Sequence, residues 1–377
     1  VDAAGPLWDA IVVGAGPAGC AAAYDLAVAG QSVLLLDKKD FPRAKACAGG
    51  LTSKAVQALR YSIDPVVRKV GARIRLEGNP ESPSSSPVVL KNREPICVMT
   101  VRAELDVYCL RKTLAVGARL GKIAGVQQIV RRGEQVHLLT PGESYRARFV
   151  VGADGASGQV RRLCAAGSWF SQGFALEVQI AAPLEDVDLT FDFASVSDGY
   201  GWIFPKGDHW NVGVYSLSKA GLTRSRLLRY VKDKVGTDTV DCVSGQYLGI
   251  GAGENRADYV VPALRDRVFL VGDAGGFADP LTGEGIYGAL VSGQAAAKAI
   301  LAQLRGTRTA ADTFAAHLTG YRQTLRFSSR AAASFYANPA RGFRAMRLPL
   351  VRGLLVRTYT HGLNVNSLAM RIALSRC

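Results

Sequence analysis

The segment Gly14-Ala-Gly16-Pro17-Ala18-Gly19 constrains the fold of this chain more than any other. It stands between an apolar run, Asp9-Ala-Ile-Val-Val-Gly14, and an Ala-rich stretch from Pro17 to Gly30, and a second apolar run, Ser32-Val-Leu-Leu-Leu-Asp37, follows. Two short apolar runs around a helical stretch, all within about thirty residues, predict a βαβ unit with parallel strands. The glycines permit a tight turn and let a pyrophosphate touch backbone at the positive end of the helix. Asp37 ends the second run about 20 residues on, where a carboxylate accepts both hydroxyls of a ribose. An acid rather than a base at that place argues against a 2′-phosphate and leaves FAD or NAD.

Two later segments decide between them. Phe149-Val-Val-Gly-Ala-Asp154-Gly155 and Val268-Phe-Leu-Val-Gly272-Asp273 are each an apolar strand ending in Gly and Asp. A nicotinamide half-site needs neither, whereas a flavin dinucleotide needs donors and carboxylates along its ribityl chain. Three such elements in this order point to FAD. Gly283-Glu-Gly285-Ile286-Tyr-Gly288 formally repeats the glycine pattern, but no second βαβ unit or ribose acid surrounds it, so a second resident dinucleotide is not expected. NAD(P)H as reductant would visit transiently, and a separate electron donor is equally allowed.

The chain has 377 residues, 48% of them hydrophobic, which excludes a disordered polypeptide and leaves room for two domains. An α+β architecture is expected. Residues 1–78, 100–173 and 256–305 would form a discontinuous FAD-binding domain with a Rossmann-like α/β sheet. Residues 79–99 and 174–255 would form an antiparallel substrate domain, and 306–377 an Arg-rich helical region. The seven cysteines are scattered without C-x-x-C, so neither disulfides nor a metal site is expected and a reducing cytoplasm fits. No leader pattern precedes the first strand, and no run of about 18 apolar residues occurs, so no membrane span is expected. The net charge of +15 is uneven. After Asp312 there is no acid, while ten arginines follow. With Leu348, Leu350, Leu354 and Leu355 among them, these suit peripheral contact with anionic lipid, docking of an acidic protein, or a solvated helical cap. Nucleic acid is disfavoured, because basic charge alone reads no base.

These segments resemble the flavoprotein superfamily with the glutathione reductase or p-hydroxybenzoate hydroxylase type of FAD domain. Within it, Lys45-Ala46-Cys47-Ala-Gly49-Gly50 matches the K-x-C-x-G-G of the geranylgeranyl reductase family, and Tyr200-Gly-Trp202-Ile-Phe204-Pro205 matches its Y-x-W-x-F-P. With Asp279-Pro-Leu-Thr-Gly-Glu-Gly-Ile286, the resemblance spans roughly residues 8 to 300. It implies FAD contacts from Gly14, Gly16, Pro17, Ala18, Gly19, Asp37, Lys38, Lys45, Ala46, Cys47, Arg102, Asp154, Gly155, Gly272 and Asp273, with Gly283, Gly285 and Ile286 at the flavin ring. It places the Cys47 loop over the flavin face and lines an apolar substrate channel with Tyr200, Trp202, Phe204 and Tyr215. Cys47, Tyr200 and Trp202 become the candidate catalytic residues. Two departures stand out. Tyr215 fills a position that the family pattern leaves to glycine, and Ala156-Ser157-Gly158 replaces the usual Ala-Asn-Ser.

The activity so implied is hydride transfer from reduced flavin to a C=C bond of an isoprenoid, with a proton delivered to the neighbouring carbon. Two rivals share the fold. A flavin monooxygenase, of hydroxylase, halogenase or quinone-cofactor maturation type, would bring oxygen to the flavin, the last acting on a protein partner. A prenyl-lipid escort protein would carry the lipid without redox work.

Overall fold

The computed structural model describes residues 5–78, 86–164, 170–181, 187–219, 221–238, 240, 242–253 and 260–361. Most of the Ser/Pro-rich stretch Asn79–Pro87, as well as Arg371, Arg376 and Cys377, lies outside them.

The first sheet grows around the glycine turn. Strand Leu7–Val13 pairs in parallel with Val33–Asp37 on one side and Ser144–Gly152 on the other, and Arg119–Lys122 extends the sheet beyond Val33–Asp37. Ser144–Gly152 then meets Val268–Leu270 in parallel along its final residues and the hairpin Gln128–Arg132/Gln135–Leu139 along its first ones. The central stretches 10–13, 33–36 and 149–151 are apolar at every position because both faces are covered. Ala10, Val12, Leu35 and Val151 face the helices Pro17–Val28, Arg102–Ala115 and Ile286–Leu304. Ile11, Val13, Leu34, Leu36 and Val150 face Ile129, Val136, Leu138, Val160 and Leu264. The first and third of those helices are rich in alanine because they cross at close range. A Cβ on Gly293 would lie 2.3 Å from the Ala18 carbonyl oxygen.

The second sheet runs Ser244–Ile250, Ser171–Ala181, His209–Ser216, Gly199–Pro205, Leu189–Asp192, Arg73–Glu77, Val88–Lys91. All neighbours are antiparallel except Leu189–Asp192 with Arg73–Glu77. The chain therefore enters this sheet at Arg73, ahead of the crossover that the sequence suggested near 79. The strand was hidden because its charges alternate with its apolar residues, Arg73, Arg75 and Glu77 around Ile74 and Leu76. One face is covered by helix Arg224–Val235, which starts at Thr223, whose side chain accepts from the Arg226 amide, and stops at Gly236 with φ 77°. The other face turns toward the first sheet. A small sheet of Gly50–Thr52, Cys97–Met99 and Lys69–Gly71 joins the two.

The tail forms helices Ala310–Ala337, Pro339–Met346 and Pro349–His361. The first begins on the core of the first sheet through Ala310, Phe314 and Leu318. It ends with Phe335 on the second, where Phe343, Met346, Leu355, Val356 and Tyr359 join Ile74, Leu90, Phe191 and Tyr200. Among the described residues no helix is long and apolar enough to cross a membrane, no His/Cys/Asp/Glu cluster could hold a metal, and six free cysteines occur. Burial pushes the Cys97 and Cys164 thiols up to about 12, so they serve as small core residues.

Candidate active site

Residues of both sheets line a cleft of about 640 Å³, within the size range of a cofactor site. At one end the glycine turn is fastened by Asp37, whose Oδ2 accepts from the Ala15 amide at 2.7 Å and whose Oδ1 accepts from the Lys39 amide at 2.9 Å. Gly16 begins helix Pro17–Val28 without a side-chain cap, so its first amides open on the cleft. Helix Ile286–Leu304 begins the same way at Gly285, on the same cleft. Between them stands Asp154. Its Oδ2 accepts from the Val160 amide at 3.0 Å, while its buried Oδ1 completes no hydrogen bond among the described residues. A Cβ at position 158 would lie 2.2 Å from that Oδ1, which accounts for glycine where the wider superfamily carries serine.

Positive charge gathers along one side. Arg102 is buried and holds Asp106 with two bonds, Nε to Oδ1 at 2.9 Å and NH2 to Oδ2 at 3.0 Å, and Arg43 reaches the same carboxylate at 3.0 Å. Burial lowers the pKa of neighbouring Lys45, and Arg102 lowers it further, with Asp273 opposing. Burial raises the Asp273 pKa against the pull of Lys45 and Arg102. Of the residues expected to touch a cofactor, all line the cleft except Gly19 and Gly272. These two stand behind the wall, Gly19 against the Gly14 carbonyl and Gly272 against Ala18.

At the other end the cleft is aromatic. Tyr200, Trp202 and Phe204 alternate along one strand with centroids 6.2 and 6.4 Å apart, and Phe191 packs at 5.1 Å from Tyr200 and 5.0 Å from Phe204. Their polar atoms are already spent. The Trp202 indole donates to Asn211 Oδ1 at 2.7 Å, and the Tyr200 hydroxyl donates to the Thr282 carbonyl. Tyr215 donates to Pro280 O at 3.1 Å and Tyr336 to Leu281 O at 2.6 Å, so three phenols hold three successive carbonyls just before Gly283. Burial raises the pKa of Tyr200 and Tyr215. These bonds suit walls and positioning groups better than proton donors. Cys47 differs: it lines the cleft, and its Sγ accepts the Gly49 amide at 3.4 Å and acts on the Arg102 side chain.

Several cleft residues escaped the sequence reading. Tyr359 reaches in from the tail, and Glu177 lines the cleft beside the Cys47 loop. Neither left a local signal: Glu177 falls on the polar side of the alternating run Phe174–Ile180, with Ala175 and Gln179.

Residues 8–317 match the FAD binding domain family. Over 315 residues, 78% of each chain, the sequence is 31% identical to digeranylgeranylglycerophospholipid reductase 3 of Methanosphaera stadtmanae. The chain belongs to the geranylgeranyl reductase family of FAD-dependent oxidoreductases. This reductase-family flavoprotein is also 31% identical to a menaquinone reductase of Mycobacterium tuberculosis, over 77% of its own length and 76% of that chain. The flavin-dependent brominase Bmp2 shares its fold, with a TM-score of 0.76 over 98% of both chains at 19% identity. The cleft fits the family's cofactor. Two uncapped helix starts open on it, and Asp37, Asp154, Arg43, Lys45 and Arg102 line it, a set of backbone donors, carboxylates and cations suited to a dinucleotide's phosphates and hydroxyls.

Proposed function

We propose that this flavoprotein reduces a C=C bond in the prenyl chain of a lipid or quinone. The observation that carries this reading is the continuity of one cleft, from the glycine turn past Cys47 to the wall of Phe191, Tyr200, Trp202, Phe204 and Tyr215. FAD, when bound and reduced, supplies hydride. The chain's own residues do the rest. The amides of Gly16 and Ala18, with Arg43, Lys45 and Arg102, would hold the phosphates, Asp37 the ribose, and Asp154 and Asp273 the linking hydroxyls. The start of helix Ile286–Leu304 meets developing negative charge at the ring. The aromatic wall excludes water and holds an apolar chain in register, and Tyr215 shortens the space available to it.

The test is anaerobic. Protein reduced with dithionite is mixed with a geranylgeranyl lipid, a menaquinone or oxygen, and recovery of the oxidised flavin spectrum is followed. A saturated prenyl product with the fastest recovery supports the reading; recovery only with oxygen, with an oxygenated product, sinks it. Cys47→Ala should keep one FAD per chain and slow the prenyl reaction about tenfold or alter its product; unchanged rate and product would remove Cys47 from the mechanism.

The tail supports peripheral contact with anionic lipid. Leu348 and Leu350 are 57% and 74% exposed at the turn between the last two helices, with Arg344, Arg352 and Arg357 exposed on either side, while Tyr359 of the same segment reaches the cleft. Leucines would enter the leaflet and arginines its headgroup layer. At about 1 kcal/mol per basic residue, replacing the three arginines by Gln should weaken binding to phosphatidylserine vesicles by on the order of 100-fold in flotation assays. Equal binding of both proteins, or of neutral and anionic vesicles, would refute this.

A further inference from the structure

Glu177 is the one acid that the second sheet shows the cleft among the described residues; apart from Gln246 its other side chains there are small, apolar or aromatic. Along strand Ser171–Ala181, Phe174, Leu176 and Val178 pack under helix Arg224–Val235, whereas Ala175 and Glu177 line the cleft. Register places Glu177 opposite Gly213 and Gly213 opposite Trp202. Gly213 brings no side chain, and the Trp202 indole fills its space, 2.2 Å from where a Cβ would stand. Carboxyl and indole thus share one cross-strand row of the substrate wall.

Four groups from four elements face this carboxyl: the Cys47 backbone N–H from the loop, Arg102 from helix Arg102–Ala115, Lys206 beyond strand Gly199–Pro205, and Asn211 from strand His209–Ser216. Lys206 is buried and donates to the Thr100 carbonyl at 2.9 Å, with Glu104 acting on it from further out. Arg102 is neutralised by Asp106. Asn211 spends its Oδ1 on Trp202, and its buried Nδ2 completes no hydrogen bond among the described residues. Glu177 itself is 6% exposed. Burial pushes its pKa up, and the Cys47 amide, Lys206, Asn211 and Arg102 pull it back. The dry wall favours the neutral acid, and donors already stand in place for the anion that remains once a proton has left.

Resting on the prenyl reading above, we propose that Glu177 is the proton donor of the reduction. The π bond breaks and two C–H bonds form. One carbon takes hydride from reduced FAD, and its neighbour takes the Glu177 proton. The carboxylate left behind faces Lys206 and Arg102, and regains a proton from water.

Glu177→Gln separates this role from simple anchoring, because the amide oxygen still accepts the Cys47 N–H but carries no acid proton. Wild type and variant, both loaded with FAD and reduced anaerobically, are mixed with a geranylgeranyl lipid across a pH series. Wild-type reoxidation should slow as pH rises through the raised carboxyl pKa. The variant should bind FAD as tightly, reoxidise at least about 100-fold more slowly, and lose that pH dependence. Infrared difference spectra of the oxidised holoproteins between low and high pH should show, in wild type, a protonated-carboxyl band that is missing from the variant, on top of the carboxyl bands that both proteins share. A variant rate within about threefold of wild type, a retained pH profile or an unchanged band overturns the assignment. Should the variant fail to hold FAD, a wild-type rate flat in pH overturns it alone. Wild type that leaves the prenyl acceptor untouched overturns the substrate reading and the assignment together; turnover by both proteins alike overturns Glu177 only.

Discussion

Replacing Gly19 by alanine is expected to yield protein that carries almost no FAD. The new methyl would lie 1.8 Å from the Gly14 carbonyl oxygen and 3.2 Å from Val12 Cγ1, far inside contact distance, and the obstacle is backbone. Relief requires the turn to open. Opening moves Ala15 away from Asp37, breaks their 2.7 Å bond and tilts the uncapped start of helix Pro17–Val28. Overpacking of this severity costs at least about 3 kcal/mol, on the order of 100-fold in cofactor affinity. Gly30→Ala is the control. Gly30 has φ 78°, so alanine there is strained by about 1–2 kcal/mol, but no atom lies within 4 Å of the added methyl and FAD content should be normal. Flavin absorbance per chain and equilibrium affinity for added FAD check both. A Gly19→Ala protein with wild-type flavin content would mean that the turn is not built as described.

Asp106→Asn should cost about 3–5 kcal/mol of stability, the usual consequence of stranding a buried charge. Burial alone would lower the Arg102 pKa; the Asp106 carboxylate outweighs it, and Cys47 adds to the effect, so the guanidinium stays charged. Asparagine keeps the shape but leaves both Arg102 and Arg43 facing a neutral amide. The reciprocal Arg43→Gln should cost clearly less, because Arg102 still holds Asp106 with two bonds. Urea unfolding of the holoproteins at matched FAD concentration measures both. A loss under about 1 kcal/mol for Asp106→Asn would show that the pair is solvated and not a buried clamp.

Local pattern made the cofactor half of the molecule legible. The strand-turn-helix around Gly14–Gly19, the strand tips at Asp154 and Asp273, and the helix after Gly285 each follow from periodicity and glycine placement within a few residues, and the structure brings them to one cleft. The second half depends on contacts remote in sequence. Arg73–Glu77 joins a partner at Leu189–Asp192, which no local pattern announces. Phe343, Met346, Leu355, Val356 and Tyr359 look like scattered apolar residues in an arginine-rich tail until the helices turn them onto the second sheet. Gly158 read as a departure from a familiar pattern, and only the position of the Asp154 carboxylate explains it. Glu177 falls on the Ala175-Glu177-Gln179 side of its strand, which local pattern assigns to solvent, and its neighbours come from four segments that sequence does not place together.

The phenols that grip Pro280, Leu281 and Thr282 have a mechanical consequence. Two of them ride on the floor of the substrate wall, and the third rides on the long helix Ala310–Ala337. Whatever presses on that helix, or spreads that floor, tugs the same short stretch of backbone, whose far end is the start of helix Ile286–Leu304. A chain cut before Tyr336 would therefore lose more than a covering. It would unlatch a segment 55 residues upstream, at the doorstep of the redox chemistry.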